Sequence, residues 1–446
     1  MNKNFVLDII KKLKNKGCDQ CDVFLIDSLS MSSTQRLGKL EKNERSNSLE
    51  IGLRAIIGKK QSIISSTDIS EKNIDRLISK VFEMATFVPE NQHCGLASEN
   101  QIHSFSKKDQ LKLEVFDKQT PTFEKLSKTA SILENGALSN KKITNSEGAE
   151  VSWTKLNCIL AGSNGVFQEY EKTVSSYILS VLAGEGKNME KEYDYKSKIF
   201  FSELGDFSSI GKKCASRAIK KLGSRKIKTC KTDVLFDSRV SSSLINNLAS
   251  AANSSLISKG TSFLKNKIEK KVFNSSINII DNPLMKKNLK SKIMDCEGIK
   301  SEKKFLVEDG VLKFFFNNLD YSRQLNQVTT GHASRAASSL PSPSPSNLYL
   351  DKGNDSKKDI IKSLKRGFLV TELMGSSINI SNGDYSRGAS GFWIENGEIA
   401  YPVSEVTIAG NLLNIFQNLL PCSDLEFNYS TNAPSCLVNN LTVAGV

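Results

Sequence analysis

The sequence predicts an α+β protein, in which an N-terminal region of mixed helices and sheet precedes a C-terminal antiparallel β-rich domain. Apolar residues recur at helical spacing over residues 4–16 and 68–88. Apolar and polar residues nearly alternate over 48–60, which is typical of a half-buried strand. Asp309-Gly310 and Asn396-Gly397 each lie between strand-forming runs, and both dipeptides favour tight hairpin turns.

The first elements of the chain follow from these patterns in order. We expect residues 4–16 to form a surface helix whose apolar side packs on the domain. We expect strands at residues 22–33 and 48–65, the second with a turn at Gly58-Lys59. Residues 68–88 form a helix capped by Ser70. The polar composition of residues 90–108 predicts a linker or long loop.

A second unit covers residues 111–222. We expect a helix near 122–134, a strand and turn at 143–152, two further strands and a closing helix at 210–222. Gly223 ends that helix, and a strand at 232–236 starts the last unit, for which we expect few helices. The sequence therefore predicts an N-terminal domain of residues 1–225, with a break between two sub-units near 90–110, and a C-terminal domain of residues 226–446.

Composition restricts the class of protein. The chain has 446 residues, 39% of them apolar and 24% charged, which is typical of a soluble globular protein. It has no apolar run long enough to span a membrane and no leader-like start, so we expect a cytoplasmic protein without a membrane partner. Nine scattered cysteines suit a reducing compartment. The net charge of +13 is nearly all dispersed lysine, so we do not expect nucleic acid as a partner.

The most informative segment runs from residue 367 to 416. It contains VTELMG at 370–375, GDYSRGASGFWIENG at 383–397, Pro402-Val403 and TIAGN at 407–411. These runs resemble the C-terminal signature of the TldD/PmbA family, and specifically its PmbA (TldE) branch. The resemblance covers most of the chain, weakly before residue 140 and strongly after residue 230.

The resemblance raises the question of a metal. The family's TldD branch is similar to a zinc peptidase and has a His-Glu-x-x-x-His helix before a Gly-Thr-Ser-Phe-like segment. Here that segment is GTSFL at 260–264, and Asn246, Asn247 and Ala251 occupy the helix positions to within a residue. Neither asparagine nor alanine can replace a zinc-bound imidazole or an ionised base. We therefore expect no metal and no catalytic residue in this chain, and the resemblance implies zinc on a TldD-type partner.

Few other residues could carry metal or nucleophile chemistry. Cys436 falls near a cysteine ligand of the TldD branch, but without partner histidines we expect a buried structural thiol. Cys18 and Cys21 form a Cys-x-x-Cys that we expect to be buried between the first helix and the first strand. The three histidines are His93 and His103, in a polar loop, and His332, which we expect to make hydrogen bonds. We interpret Asp295 and Glu297, before Gly298, as an acidic turn and not a catalytic pair.

The candidate substrate-binding residues are Asp384, Tyr385, Ser386 and Arg387. We expect them in a glycine-bracketed loop whose backbone N–H and C=O groups are exposed, with Arg387 holding a peptide carboxylate or carbonyl. In the alternative interpretation, Arg387 and Asp384 instead lock that loop against the Phe392-Trp393 hairpin. The sequence leaves both interpretations open.

The resemblance implies a subunit that pairs with a TldD-type zinc subunit to degrade unfolded or extended peptides or to trim leader peptides. Recognition of extended peptides at strand edges fits a hairpin-rich domain. A second hypothesis is a non-catalytic binding or regulatory protein, suggested by the family's older name, modulator of DNA gyrase, and by the basic charge. A peptidase acting alone through an unrecognised site is a third.

Overall fold

One antiparallel sheet of six strands forms the N-terminal half of the protein. The structure is a computed structural model that describes residues 3–446, without the side chains of Lys187 and Ser376. The strands follow the order β3-β2-β1-β4-β5-β6. The helices and strands of this half are α1 (Lys3–Lys16), β1 (Gln20–Arg36), β2 (Lys39–Ile57), β3 (Lys60–Ser66), α2 (Glu71–Phe87), α3 (Lys107–Leu111), α4 (Phe123–Leu138), β4 (Ile143–Gly162), β5 (Phe167–Ala183), β6 (Glu190–Lys198) and α5 (Phe207–Lys221).

The sheet consists of two similar units. Each unit has a helix, three consecutive antiparallel strands and a second helix, as α1-β1-β2-β3-α2 and α4-β4-β5-β6-α5. Their first strands, β1 and β4, pair antiparallel at the centre of the sheet, from Asp22 opposite Gly162 to Gln35 opposite Ala149. The sheet is therefore continuous although the chain leaves it between residues 66 and 143.

The four long helices cover one face of this sheet because their apolar sides and the strands' inward residues can be buried together. Around α1 and α2 the core includes Val6, Leu13, Leu25, Leu53 and Val81. A separate core under α4 and α5 includes Leu126, Leu133, Val151, Leu179 and Ala218. Cys18 and Cys21 are buried in the first core, as predicted.

The predicted helices are all present, with ends shifted by a few residues. The strand and turn predicted at 143–152 are instead the first half of the long strand β4. Its pairing with β5 shifts register around Asn145 and Gly148. Residues 145–148, Asn-Ser-Glu-Gly, therefore form an irregularity within a strand.

The C-terminal half is built around a closed sheet. Five strands follow the order β16-β15-β14-β7-β19, and they close into a barrel because β19 also pairs with β16. A sixth strand, β17, pairs with β19. A second sheet has the order β10-β9-β8-β13-β18. The strands are β7 (Cys230–Phe236), β8 (Ile279–Asp281), β9 (Lys304–Glu308), β10 (Val311–Leu312), β11 (Ala333–Ser334), β12 (Ser342–Pro343), β13 (Leu348–Leu350), β14 (Arg366–Asn379), β15 (Asp384–Glu395), β16 (Glu398–Asn411), β17 (Leu419–Pro421), β18 (Thr431–Asn432) and β19 (Cys436–Ala444).

Five helices connect these strands, the 14-residue α6 and four short ones, which is more than the few helices that the sequence predicts. They are α6 (Ser238–Ala251), α7 (Ser254–Ser258), α8 (Leu319–Gln324), α9 (Lys357–Ser363) and α10 (Leu412–Gln417). Both predicted hairpins are present, with positive φ at Asp309 (48°) and Gly310 (79°) and at Asn396 (51°) and Gly397 (82°). The domain is not wholly antiparallel, because β7 pairs parallel with β14 and β13 pairs parallel with β18. None of the helices described over residues 3–446 is long and apolar enough to cross a membrane.

The two halves meet on the face of the N-terminal sheet that the helices leave free. A Cβ on Gly52 would lie 1.9 Å from the carbonyl oxygen of Ala337, so glycine is what permits this close approach. The Arg335 side chain is 0% exposed and its Nη1 lies 2.6 Å from Oδ1 of Asp22 on β1. Arg54 on β2 reaches the other oxygen of Asp22 at 3.3 Å, and the Arg335 guanidinium stacks over Phe24.

Two buried carboxyl groups lie beside this contact, in the turn before Gly298. Asp295 accepts backbone N–H groups from Glu297, Ile299 and Ala333 at 2.9 to 3.0 Å. Among the described residues, the Glu297 carboxyl accepts a single hydrogen bond, from the N–H of Leu319 at 2.8 Å. Burial, and then the charge of Asp295, raise the pKa of Glu297 to about 8. Glu297 therefore holds its proton at neutral pH, and the predicted acidic turn is confirmed with φ of 84° at Gly298.

We expect the Arg335→Met substitution to destabilise the protein by about 3 kcal/mol, since it leaves Asp22 buried with a single, longer ion pair. Urea unfolding would measure the loss. Arg45→Met, at an exposed position of β2, is the matched control and should change stability by less than about 0.5 kcal/mol. Equal effects of the two substitutions would contradict a structural role for the Arg335 contact.

We expect Glu297→Gln to make the protein more stable than the unsubstituted chain at pH 8 but not at pH 4. The folded-state pKa of Glu297 is raised to about 8 from 4.5, so its contribution to stability is complete below pH 4.5 and is lost as the pH rises through 8. Glutamine has no proton to lose and keeps a carbonyl for the Leu319 N–H. Denaturation from pH 4 to 9 tests this, with exposed Glu308→Gln as the control.

Candidate functional site

Helix α6 occupies the position at which the sequence places the metal-binding helix of the TldD branch. Asp237 caps the helix by accepting the N–H of Arg239 at 3.1 Å. Asn246 is exposed, Asn247 is half-buried and Ala251 is fully buried. The carbonyl of Ala251 accepts the Ser262 hydroxyl at 2.6 Å, which holds the Gly-Thr-Ser-Phe segment against the end of the helix.

These residues do not fit a zinc ion. Asparagine amides are neutral at all ordinary pH values, and alanine offers no ligand atom. Among the residues described, no three His, Cys, Asp or Glu side chains are grouped so that they could hold a metal. A zinc-bound water and its carboxylate base therefore cannot be assigned to α6.

Cys436 on β19 is a buried structural thiol, as predicted. It is 0% exposed, and its sulfur donates to the carbonyl of Pro434 at 3.2 Å. The Ser241 hydroxyl of α6 donates to the same carbonyl at 2.7 Å. Burial, with nearby Cys422, raises the pKa of Cys436 well above its usual value, so the sulfur is neutral and a poor metal ligand.

His332 makes hydrogen bonds inside the C-terminal domain. Its Nδ1 lies 2.9 Å from Oγ1 of Thr330, and its Nε2 lies 3.0 Å from Oδ2 of Asp281. The prediction for this residue is confirmed, although it is buried and not at the surface of a loop. His93 and His103 lie in the segment between the two N-terminal units, where the ring of His103 packs on Phe105.

Residues 384–387 form the start of strand β15, so the prediction of an open loop here is wrong. β15 pairs with β14 on one side and with β16 on the other, with Tyr385 opposite both Ile378 and Gly410. Its backbone N–H and C=O groups are therefore used in two ladders. The glycine that precedes the segment, Gly383, has φ of 85° and belongs to the β14–β15 turn.

The four side chains divide between the two faces of the strand, as strand geometry requires. Asp384 is exposed and accepts the Asn382 side-chain amide at 2.7 Å. Ser386 is half-buried, while Tyr385 is 2% exposed and packs in the barrel core. Arg387 is on the same face as Tyr385 and makes no ion pair with the acidic groups that the structure describes. Among the described residues, neither Asp384 nor Arg387 makes a hydrogen bond or ion pair with the Phe392-Trp393 hairpin.

Four buried polar atoms on α6, β14 and β15 have no hydrogen-bond partner among the described residues. They are the Tyr385 hydroxyl, Nε of Arg387, Oγ1 of Thr371 and Nδ2 of Asn247. Burial raises the pKa of Tyr385 to about 12, against the opposing effect of the Arg387 charge, so the hydroxyl keeps its proton. Buried polar groups are seldom left unpaired, so these four atoms are exceptions within the described residues.

The chemistry available here is donation to an oxygen atom. A protonated phenol and a guanidinium on one face of a strand can hold a carbonyl or a carboxylate. A depression of about 350 Å³ is lined by residues of both strands, Ser377, Ile378, Asn379, Asp384, Tyr385 and Ser386. Sequence reasoning missed Thr371, and it considered Asn247 only as a metal position. The period-2 alternation of β15 is the signal that could have placed Tyr385 and Arg387 together.

Comparison with known proteins gives matches along nearly the whole chain. Three family models match in order: PmbA/TldA metallopeptidase domain 1 over residues 21–85, the central domain over 116–222 and the C-terminal domain over 229–445. A Metalloprotease PmbA homolog of Buchnera aphidicola (Acyrthosiphon pisum) is 30% identical over 445 residues, which are 99% of this chain and 96% of that protein. Metalloprotease PmbA of Escherichia coli O157:H7 is 29% identical and is covered to 94%.

Solved structures share the fold. A putative modulator of DNA gyrase from Bacteroides thetaiotaomicron matches with a TM-score of 0.91 at 24% identity, over 100% of this chain and 99% of that one. TldE from Thermococcus kodakarensis matches with a TM-score of 0.85 at 20% identity, over 99% and 100%. Among the sequence relatives, a Metalloprotease TldD homolog of the same Buchnera strain is 30% identical over 204 residues, which are 42% of this chain and 42% of that protein.

We expect Tyr385→Phe to leave the stability of the free chain unchanged or to raise it by about 1 kcal/mol, because the substitution removes a buried hydroxyl that has no partner. Tyr177→Phe is the matched control. The Tyr177 hydroxyl donates to Asp194 at 2.9 Å, so its removal should cost about 1 kcal/mol. Urea unfolding measures both, and an equal loss for the two would show that Tyr385 has a partner within the chain.

Proposed function

Because the chain belongs to the PmbA/TldA metallopeptidase family, we propose that it is the metal-free, PmbA/TldE-type subunit of a peptidase whose zinc is held by a TldD-type partner. The observation that carries this proposal is the composition of α6, where Asn246, Asn247 and Ala251 replace the two histidines and the glutamate of the zinc helix. A peptidase of this family needs those groups, and a second subunit is the direct way to supply them.

In this proposal the chain contributes binding and shape, not the reacting groups. Extended peptides present a carbonyl at each residue and a carboxylate at one end. The Tyr385 hydroxyl and the Arg387 guanidinium, both with unpaired buried donors, suit either oxygen. Asp384 and Ser386, at the rim of the adjoining depression, would contact the peptide further along its length. The substrates would be unfolded or extended peptides, including leader peptides that are trimmed from a precursor.

The relatives support pairing with a TldD-type subunit. One Buchnera strain has both a Metalloprotease PmbA homolog and a Metalloprotease TldD homolog that resemble this chain, the first over nearly its full length and the second over 42% of it. Two related proteins of one strain, both similar to this chain, support a heterodimer built from similar subunits. In such a heterodimer, this chain would form part of the wall of the peptide-binding chamber and would stabilise the zinc site of the partner.

The proposal predicts that peptide cleavage depends on mixing the two subunits. Cleavage of an unstructured peptide should be measured with this chain alone, with a TldD-type partner alone and with both, each with and without a chelator. We expect chelator-sensitive cleavage that appears or rises strongly only in the mixture. Cleavage by this chain alone would point to a site of its own, while tight DNA binding that weakens steeply with salt would favour a regulatory protein.

We expect Arg387→Gln to lower the specificity constant of the mixture at least tenfold without preventing assembly. A charge-assisted hydrogen bond contributes about 1.5–3 kcal/mol, and a loss of 1.4 kcal/mol is a factor of ten. Arg45→Gln, at an exposed position, is the matched control and should retain full activity. If Arg387→Gln cleaves as fast as the control while the subunits assemble normally, Arg387 does not bind the peptide.

A further inference from the structure

A second cavity lies between the helix-free face of the N-terminal sheet and the C-terminal domain, and no residue of β15 lines it. It has a volume of about 280 Å³. The sheet contributes Phe24 from β1, Leu160 from β4, and Tyr170 and Lys172 from β5, and the C-terminal domain contributes residues 290–296, 333–335 and 344–346. Its size is close to that of small-molecule sites.

Three lysines line this cavity. Lys172 donates to the carbonyl of Leu289, Lys290 lies 3.4 Å from the carbonyl of Pro345, and Lys292 lies 3.4 Å from the carbonyl of Ala333. These contacts orient the ammonium groups but do not neutralise them. None of the three makes an ion pair with an acidic side chain in the part of the chain that the structure describes.

The acidic groups nearest to the lysines are already engaged. Asp295 accepts three backbone N–H groups, and Asp281 binds His332 and the backbone and side chain of Ser346. Arg335, at the same cavity, is paired with Asp22 on the other side of the interface. Three ammonium groups therefore line one cavity without an ion pair among the described residues, although Asp281 interacts electrostatically with Lys290, and Asp295 with Lys292.

The lysines affect one another electrostatically. Desolvation, together with the charges of Lys290 and Lys292, lowers the pKa of Lys172 to about 8. Desolvation and the charge of Lys292 also lower the pKa of Lys290. A dianion placed among the three ammonium groups would relieve this repulsion. The repulsion destabilises the free protein, and binding of an anion would remove that destabilisation.

We infer that this cavity binds a small phosphate-bearing molecule, whose phosphate groups contact Lys172, Lys290 and Lys292. Lysine binds phosphate as a compact point charge from several directions, and three of them match a multiply charged anion better than a single carboxylate. Ser334 and Ser344 also line the cavity, and Phe24, Leu160 and Ile293 offer an apolar surface for the rest of the ligand. This site is separate from α6 and β15 and does not rest on the proposed peptidase function.

The ligand would also join the two halves of the protein. Lys172 belongs to β5 of the N-terminal sheet, whereas Lys290 and Lys292 belong to the C-terminal domain. A phosphate group held by lysines from both sides would strengthen the docking of the halves, because it binds the assembled form and not the separated one.

Calorimetric titration of the full chain with inorganic pyrophosphate, at constant ionic strength, tests the proposal. We expect saturable binding of one pyrophosphate per chain, weakened at least tenfold in the double variant Lys290→Gln/Lys292→Gln. The matched control is Lys212→Gln/Lys213→Gln, which removes two exposed charges from α5 and should bind as the unsubstituted chain does. Absence of saturable binding, or an equal loss in both double variants, would overturn the proposal.

A conservative variant distinguishes a charge effect from a folding defect. Lys290→Arg/Lys292→Arg keeps both positive charges, so it should bind pyrophosphate within about threefold of the unsubstituted chain. Circular dichroism and urea unfolding of each variant would verify that the chain is folded. If the arginine variant folds normally but binds as weakly as the glutamine variant, the cavity does not recognise anions through these charges.

Discussion

The docking of the Arg335 segment on the N-terminal sheet is the contact on which the arrangement of the protein depends. A sheet whose helices cover one face must bury its other apolar face against something else. Here Phe24, Ile26 and Leu160 on that face are covered by the C-terminal domain. The Arg335 guanidinium is fully buried, and the Asp22 carboxylate 2.6 Å away offsets the cost of burying its charge. Gly52 leaves room for the backbone of Ala337 beside it.

A second charged cluster ties the same two halves at another point. Glu192 on β6 is 2% exposed and pairs with Lys221 of α5 at 2.6 Å and with Arg239 of α6 at 2.7 Å. Lys221 in turn reaches Glu372 on β14 at 2.8 Å. Because Glu192 is almost fully buried and pairs with cations from both halves, its loss would remove an ion pair from Lys221 and from Arg239 at once. The two clusters hold α6 and the barrel in a fixed position relative to the N-terminal sheet.

That rigidity bears on both candidate sites. Tyr385 and Arg387 project from a strand that is paired on both sides within a closed barrel, so their donors are held in place before any ligand arrives. The lysine cavity exists only because the halves are docked, since Lys172 and Lys292 come from opposite sides of the interface. One site is thus preorganised by local strand pairing and the other by domain packing.

The sequence by itself determined the features that depend on neighbouring residues. Helical spacing located α1 and α2, and Asp309-Gly310 and Asn396-Gly397 fixed two hairpins because positive φ is a local requirement. The residues of α6 at the metal-helix positions, Asn246, Asn247 and Ala251, offer no imidazole or carboxylate. Tertiary structure decided the rest. Residues 384–387 form a barrel strand and not a loop because β14 and β16 complete their hydrogen bonds, and the unpaired donors and the lysine cavity arise from contacts between segments far apart in the chain. Local sequence cannot encode such pairing, since it depends on which distant segments are brought together.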